Sequence, residues 1–199
     1  MVKAPVRIGV LGLQGDVEEH VRALRCAKAQ PCVVKRASEI SEIDGLIIPG
    51  GESTTVGAML ERFGLARPLR ERAAAGMPVW GSCMGMILLA DKVMGSRQPT
   101  LQMLHIEVRR NAFGRQVESA EVPVIIPTID RTKPFPAVFI RAPWIESAWG
   151  GARILADVDG KGVMVRQGAL LGTSFHPELS SDLRVHEYFL GMVRAADAV

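Results

Sequence analysis

The feature that most constrains this chain is a strand-like run that gives way to helical spacing, and does so repeatedly. Residues 6–13, VRIGVLGL, form an apolar stretch rich in Val, Ile and Leu, as expected of a strand buried on both faces. GLQGD then turns, Asp16 is placed to cap a helix, and Val17, His20, Val21, Leu24 and Ala27 follow at helical spacing. CVVK at 32–35 and GLII at 45–48 read as a second and a third strand, and PGGEST at 49–54 as a loop. Residues 55–61 and 65–75 carry helical patterns, stopped by Gly76 and Pro78 before a fourth strand at 78–80 and a helix over 84–93. Strand and helix in alternation predict a parallel, doubly wound sheet with right-handed crossovers.

Beyond residue 100 the texture changes. MLHIEVRR, EVPVIIP and AVFIR are strand-like, separated by NAFG and by prolines at 134–136, and Asp159-Gly160 is a hairpin signal. This predicts a mixed or antiparallel extension of the same sheet, closed by a helix over 182–196. Without repeat, low-complexity segment or linker, residues 1–199 are expected to form a single domain. With 48% hydrophobic and 23% charged residues the composition is globular, and the 24 basic and 21 acidic side chains are interspersed. No block of like charge points to nucleic acid. Cys26, Cys32 and Cys83 are odd in number and lack C-x-x-C spacing, which fits a reducing, cytoplasmic setting. MVKAPVRIGVLGL reads as a first strand, not a signal peptide, and no apolar run approaches the ~18 residues that span a bilayer.

In an open parallel sheet, ligands gather at the carboxyl ends of the strands. Three glycine-bearing loops fall there: GLQG, PGGES and GSCMG. Gly81-Ser82-Cys83-Met84-Gly85 fits the G-x-nucleophile-x-G elbow, with sulfur in place of oxygen. Flanking glycines relieve clashes in the tight strand-to-helix turn, the helix start favours a thiolate, and the Met84 amide is placed to donate to an oxyanion. A buried thiol also packs as a small hydrophobe, so the elbow alone does not decide. TSFHPE at 173–178 supplies a partner: proline holds His176 extended, and residues i and i+2 of an extended segment share a side. Glu178 can then fix the His176 tautomer while the other ring nitrogen faces a thiol. The glycines of PGGES allow close backbone approach, which makes Gly51 the second candidate oxyanion donor. His20, His105 and His186 show no second ligand at metal spacing and read as core or surface residues. Met84, Met86 and Leu88 read as helix packing.

LGLQGD, PGGEST, GSCMGMILLA, RRNAFGRQVES, VFIRAPW and TSFHPEL, in this order, resemble the glutaminase subunits of pyridoxal 5'-phosphate synthase, within the triad class of glutamine amidotransferases. Cys and HPE alone would reach only the superfamily; LGLQGD, RNAFGRQ and FIRAP are the specific part. The resemblance implies a flavodoxin-like three-layer α/β/α fold and hydrolysis of L-glutamine to glutamate and ammonia. It implies Cys83 as nucleophile, His176 as base and Glu178 as the residue orienting it. It further implies glutamine contacts from Gly51, Glu52, Ser53, Arg110, Ile140 and Arg141, with neither metal nor organic cofactor. The implied partner is the synthase (lyase) subunit, in a large hetero-oligomer that activates the glutaminase on docking and takes up its ammonia.

Two departures stand out. Met84 occupies a position where the family commonly carries a small residue, and Ala120 one where phenylalanine is frequent. Rival readings are a flavodoxin-like cysteine hydrolase or deglycase, whose nucleophile is often followed by histidine, and a glutaminase for another synthase, disfavoured by RNAFGRQ and FIRAP. A catalytically silent binding module is disfavoured by the intact Cys, His and Glu.

Overall fold

A computed structural model describes residues 6–110 and 119–196. The first half of the chain runs β1 (Arg7–Leu11), α1 (Val17–Cys26), β2 (Gln30–Val34), β3 (Gly45–Ile48), α2 (Ser53–Arg62), α3 (Ala66–Ala74), β4 (Val79–Ser82) and α4 (Met84–Leu89). It continues as β5 (Ala90–Val93), β6 (Leu104–Arg109), β7 (Ser119–Ile126), β8 (Asp130–Ile140), β9 (Trp144–Ala148), β10 (Arg153–Val158), β11 (Lys161–Gln167), β12 (Leu170–Thr173) and α5 (Arg184–Ala196). Among the described residues the main sheet has ten strands, in the order β2-β1-β3-β4-β12-β11-β9-β6-β5 with β10 beside β11. Its half from β2 to β12 is parallel throughout; β11, β9 and β6 then follow antiparallel, with β10 antiparallel to β11, and β5 pairs parallel with β6 at the far edge.

Alternate residues of the parallel strands feed two cores. Leu11, Leu46, Ile48 and Val79 pack with Val56 and Leu60 of α2, Leu69 of α3 and Leu88 of α4. Ile8, Val10, Ile47 and Trp80 pack on the other face with Val21 and Leu24 of α1 and Phe189 and Val193 of α5. A sheet buried on both faces needs this double coat, and the three-layer flavodoxin-like expectation holds. Among the described residues, no helix is long and apolar enough to cross a membrane.

Several boundaries differ from the sequence reading. The predicted helix over 84–93 stops at Leu89, because Ala90 turns extended (φ −63°, ψ 146°) and the next residues pair with β6 as β5. The link from β2 to β3, given no element in the sequence reading, is a 3₁₀ segment, Ala37–Glu42. Residues 134–136, expected to separate strands, lie inside β8, with Pro136 opposite Pro123. Among the described residues β7 and β8 pair only with each other as a separate sheet, so the extension of the main sheet lacks two of its expected members. A two-stranded ribbon consists of edges, where a missing N–H is tolerated. Ala120 stands opposite Phe139 in this ribbon, in keeping with a packing role. The Asp159-Gly160 turn is as read, with both residues at positive φ (52° and 73°) between Val158 and Lys161.

The ribbon is fastened to the end of β12 by aromatic packing. Phe175 is fully buried, its ring centroid 5.7 Å from both Phe135 and Phe139. The next residue, His176, donates its backbone N–H to the Val138 carbonyl (2.8 Å). Phe175→Ala should therefore cost about 3–5 kcal/mol of stability by denaturant unfolding, and loosen His176 as well.

Candidate active site

Adjacent parallel strands end at the same sheet edge, which brings distant loops together. β4 pairs with β12 in the register Ser82↔Thr173, and Cys83 donates its N–H to the Thr173 carbonyl (2.7 Å). The turn after β4 holds Cys83 at φ 48°, ψ −103°, a strained conformation for a side-chain-bearing residue. A Cβ on Gly85 would run into the Ile48 carbonyl, and one on Gly81 into the Gly85 backbone. The elbow therefore requires both glycines by close approach.

His176 follows β12. Its Nδ1 lies 2.8 Å from Glu178 Oε1 and 3.3 Å from Asp16 Oδ2. The basis of the His-Glu contact differs from the expectation: Pro177–Leu179 form a 3₁₀ turn rather than extended chain, and the turn swings Glu178 back under the imidazole. Burial would lower the His176 pKa, but Asp16, the Cys83 thiol and Glu178 hydrogen-bond to the ring and raise it well above its ordinary 6.5. Burial likewise opposes the Glu178 charge, while His20 and His176 favour it and hold the carboxyl below its usual range. Asp16, His176 and Glu178 bring one potential ligand atom each within 4.8 Å of one another. That convergence suits a protonated imidazole between two carboxylates.

A cavity of about 270 Å³ opens in front of Cys83 and His176. Gly51, Glu52, Ser53, Met84, Arg110, Ile140 and Arg141 all line it, so every sequence-selected residue reaches the cavity except Glu178, which backs His176 from the core. Arg141 pairs with Glu52 (3.4 Å) and, at φ 44°, sits where the chain passes from β8 toward β9. The Ile140 carbonyl lies 4.0 Å from Cys83 Sγ. The stretch from Asn111 to Glu118, including most of RNAFGRQ, lies outside the described residues.

Three contributors went unread in the sequence. Asp16 makes no side-chain cap to α1 and faces His176 instead; acidic residues at helix starts are so common that its second use left no signal. Gln98 accepts from both Ser53 Oγ (3.2 Å) and Arg110 Nη1 (2.9 Å), tying two predicted contacts together from an irregular segment. Gln14 Oε1 accepts the Glu52 N–H (2.8 Å), so the GLQG loop braces the PGGES loop. Met84 also finds its place: it is almost fully buried, and its Cε would meet a Cβ on Gly51 at 3.2 Å. It forms the wall that joins the elbow to the glycine loop.

Residues 10–195 match the SNO glutamine amidotransferase family. The chain belongs to that family. Among relatives, the pyridoxal 5'-phosphate synthase subunit PdxT of Parafrankia sp. (strain EAN1pec) is 56% identical over 191 residues, 95% of this chain and 94% of that protein. PdxT of Moorella thermoacetica is 52% identical over 94% of this chain and 100% of its own. A crystal structure of a glutamine amidotransferase superposes with a TM-score of 0.89 at 41% identity, covering 94% of this chain and 98% of that one. The structure of PurLQS from Thermotoga maritima shares the fold at TM-score 0.64 and 16% identity, covering 96% of this chain and 97% of its own.

Two outcomes are expected at this SNO-family site. By NMR titration the His176 ring should stay imidazolium through neutral pH, and Cys83→Ala, which removes one raising partner, should lower its pKa; a wild-type midpoint near 6.5 would contradict the geometry. Gly50→Ala would put a Cβ 2.9 Å from His176 Nδ1 and 2.8 Å from Asp16 Oδ2. It should displace the imidazole and lower activity by about 100-fold, the scale of a misplacement of roughly 1 Å, with the unfolding midpoint as the control for folding.

Proposed function

We propose that this chain hydrolyses L-glutamine to glutamate and ammonia and supplies the ammonia to a pyridoxal 5'-phosphate synthase subunit. The observation that carries the reading is the single cavity in which Cys83 and His176 face Arg110, Arg141 and Glu52. A thiol and a charged imidazole suit attack on an amide, while arginine and glutamate suit the carboxylate and ammonium of a free amino acid. Membership of a glutamine amidotransferase family and the names of the PdxT relatives support the same reading.

In the reaction, the Cys83 thiolate attacks the side-chain amide carbon of glutamine. The Gly51 and Met84 amides stabilise the tetrahedral oxyanion. His176, oriented by Glu178, gives its proton to the departing nitrogen, releasing ammonia and leaving a glutamyl thioester on Cys83. The neutral imidazole then takes a proton from water, hydroxide adds to the thioester carbonyl, and glutamate leaves with the thiolate restored. Gly51, Glu52, Ser53, Arg110, Ile140 and Arg141 hold the substrate. Free ammonia is protonated in water, so the synthase subunit receives it directly within a hetero-oligomer. Docking of that subunit raises the glutaminase rate.

Glutamate release, measured with and without the synthase subunit, tests each part. Cys83→Ala should lose about 10⁴-fold or more in kcat, and full activity in that variant would refute the nucleophile assignment. Arg110→Ala should raise KM by about 10–100-fold, the worth of a hydrogen bond to a charged group, with a smaller change in kcat. Equal wild-type rates with and without the synthase subunit would refute activation by docking.

A further inference from the structure

Behind Glu178 lies a second pair of titratable groups that the reaction above does not use. Glu178 Oε1 serves His176, while Oε2 lies 3.3 Å from Nε2 of His20 and 3.4 Å from Ser82 Oγ. His20 comes from α1, and its Nδ1 is 3.1 Å from Nε2 of His186, on α5. Both histidines and the Glu178 side chain are fully buried. Trp80 closes the pair off, its ring centroid 5.2 Å from that of His20 and 5.0 Å from that of His186. A continuous file of polar groups thus runs His186–His20–Glu178–His176 from the core to the thiol.

The protons on this file are determined by chemistry. Burial lowers the pKa of both His20 and His186, so each ring is neutral and carries a single N–H. A bare lone pair of His20 Nε2 against a carboxylate oxygen would repel it, so the proton sits on Nε2. Nδ1 is then an acceptor and takes the N–H of His186 Nε2. His186 Nδ1 is left bare, and it has no hydrogen-bond partner among the described residues. The His20–Glu178 contact lies off the line of an ideal hydrogen bond, and at 3.3 Å it acts through the charge of Glu178. Buried polar groups carry a desolvation cost, and an apolar pair of similar volume would fill the same space without it.

We infer that His20 and His186 are positioning residues for the glutaminase reaction: His186 fixes the His20 tautomer, and His20 Nε2–H fixes the Glu178 carboxylate that orients His176. The inference rests on the reading of Cys83, His176 and Glu178 as the catalytic triad.

The test is the steady-state kinetics of the full-length chain with its synthase subunit present, for His20→Leu, His20→Gln, His186→Phe and His186→Gln beside Cys83→Ala. His20→Leu should lower kcat by about 10–100-fold, the range for groups that orient an active-site ligand from behind, with KM for glutamine within about twofold. His186→Phe should lower kcat by a smaller factor. Each Gln variant keeps an N–H donor and should recover most of the loss, which a purely space-filling role would not produce. Wild-type kcat in a folded His20→Leu variant, or Gln variants no better than their apolar counterparts, would overturn the inference. Should His20→Leu fail to fold, His186→Phe decides, and wild-type kcat there overturns it equally. An active Cys83→Ala would instead refute the triad reading; an inactive one beside indifferent His20 and His186 variants leaves the triad standing and removes only their role.

Discussion

The parallel pairing of β4 with β12 is the constraint on which the site depends. The two strands are far apart in sequence, yet their register ends at Ser82 opposite Thr173, and one backbone bond from Cys83 to Thr173 locks the next step. Parallel strands deliver their carboxyl ends to one edge of the sheet. Cys83 and His176 therefore meet without any long side chain reaching across the molecule. β1 and β3, next along the same edge, supply Asp16 and the glycine loop in the same way. A slip of one residue between β4 and β12 would turn every side chain of the slipped strand to the opposite face.

Legibility in the sequence followed the physics of each element. Strands buried on both faces announce themselves as apolar runs, so β1, β3 and β4 were read close to their observed bounds. The end of α4 was not, because MGMILLADKV keeps its apolar character where the backbone turns from helix to strand, and tertiary pairing with β6 makes the choice. The separate β7–β8 ribbon was invisible for a related reason: alternation shows that a segment is extended but not which strand it pairs with. At the site, Cys83, His176 and the glycine loop stood out by spacing, whereas Arg110, Ile140 and Arg141 came only through family resemblance. Asp16 and Gln98 gave no signal, since each is an ordinary residue whose role exists only after folding.

The site also shows how close packing substitutes for rigid chemistry. Gly50 lies against His176 and Asp16, Gly85 against the Ile48 carbonyl, and Met84 across from Gly51. These contacts leave little room for motion at the thiol, the imidazole or the loop between them. The strain held at Cys83, of order 1–3 kcal/mol for a residue in a sparsely populated region, persists because the strands on both sides of the elbow are fixed by pairing.

The division between the ten-stranded sheet and the two-stranded ribbon has an evolutionary reading. Cys83, His176 and Glu178 hang from the main sheet, while Ile140 and Arg141 stand at the end of the ribbon where it rejoins that sheet. The groups assigned to bond breaking and part of those assigned to substrate recognition are thus carried by separately paired pieces of backbone. Lengthening or reshaping the ribbon would alter what the cavity accepts while leaving the β4–β12 register intact. A lineage could retune selectivity on this scaffold without rebuilding its catalytic centre.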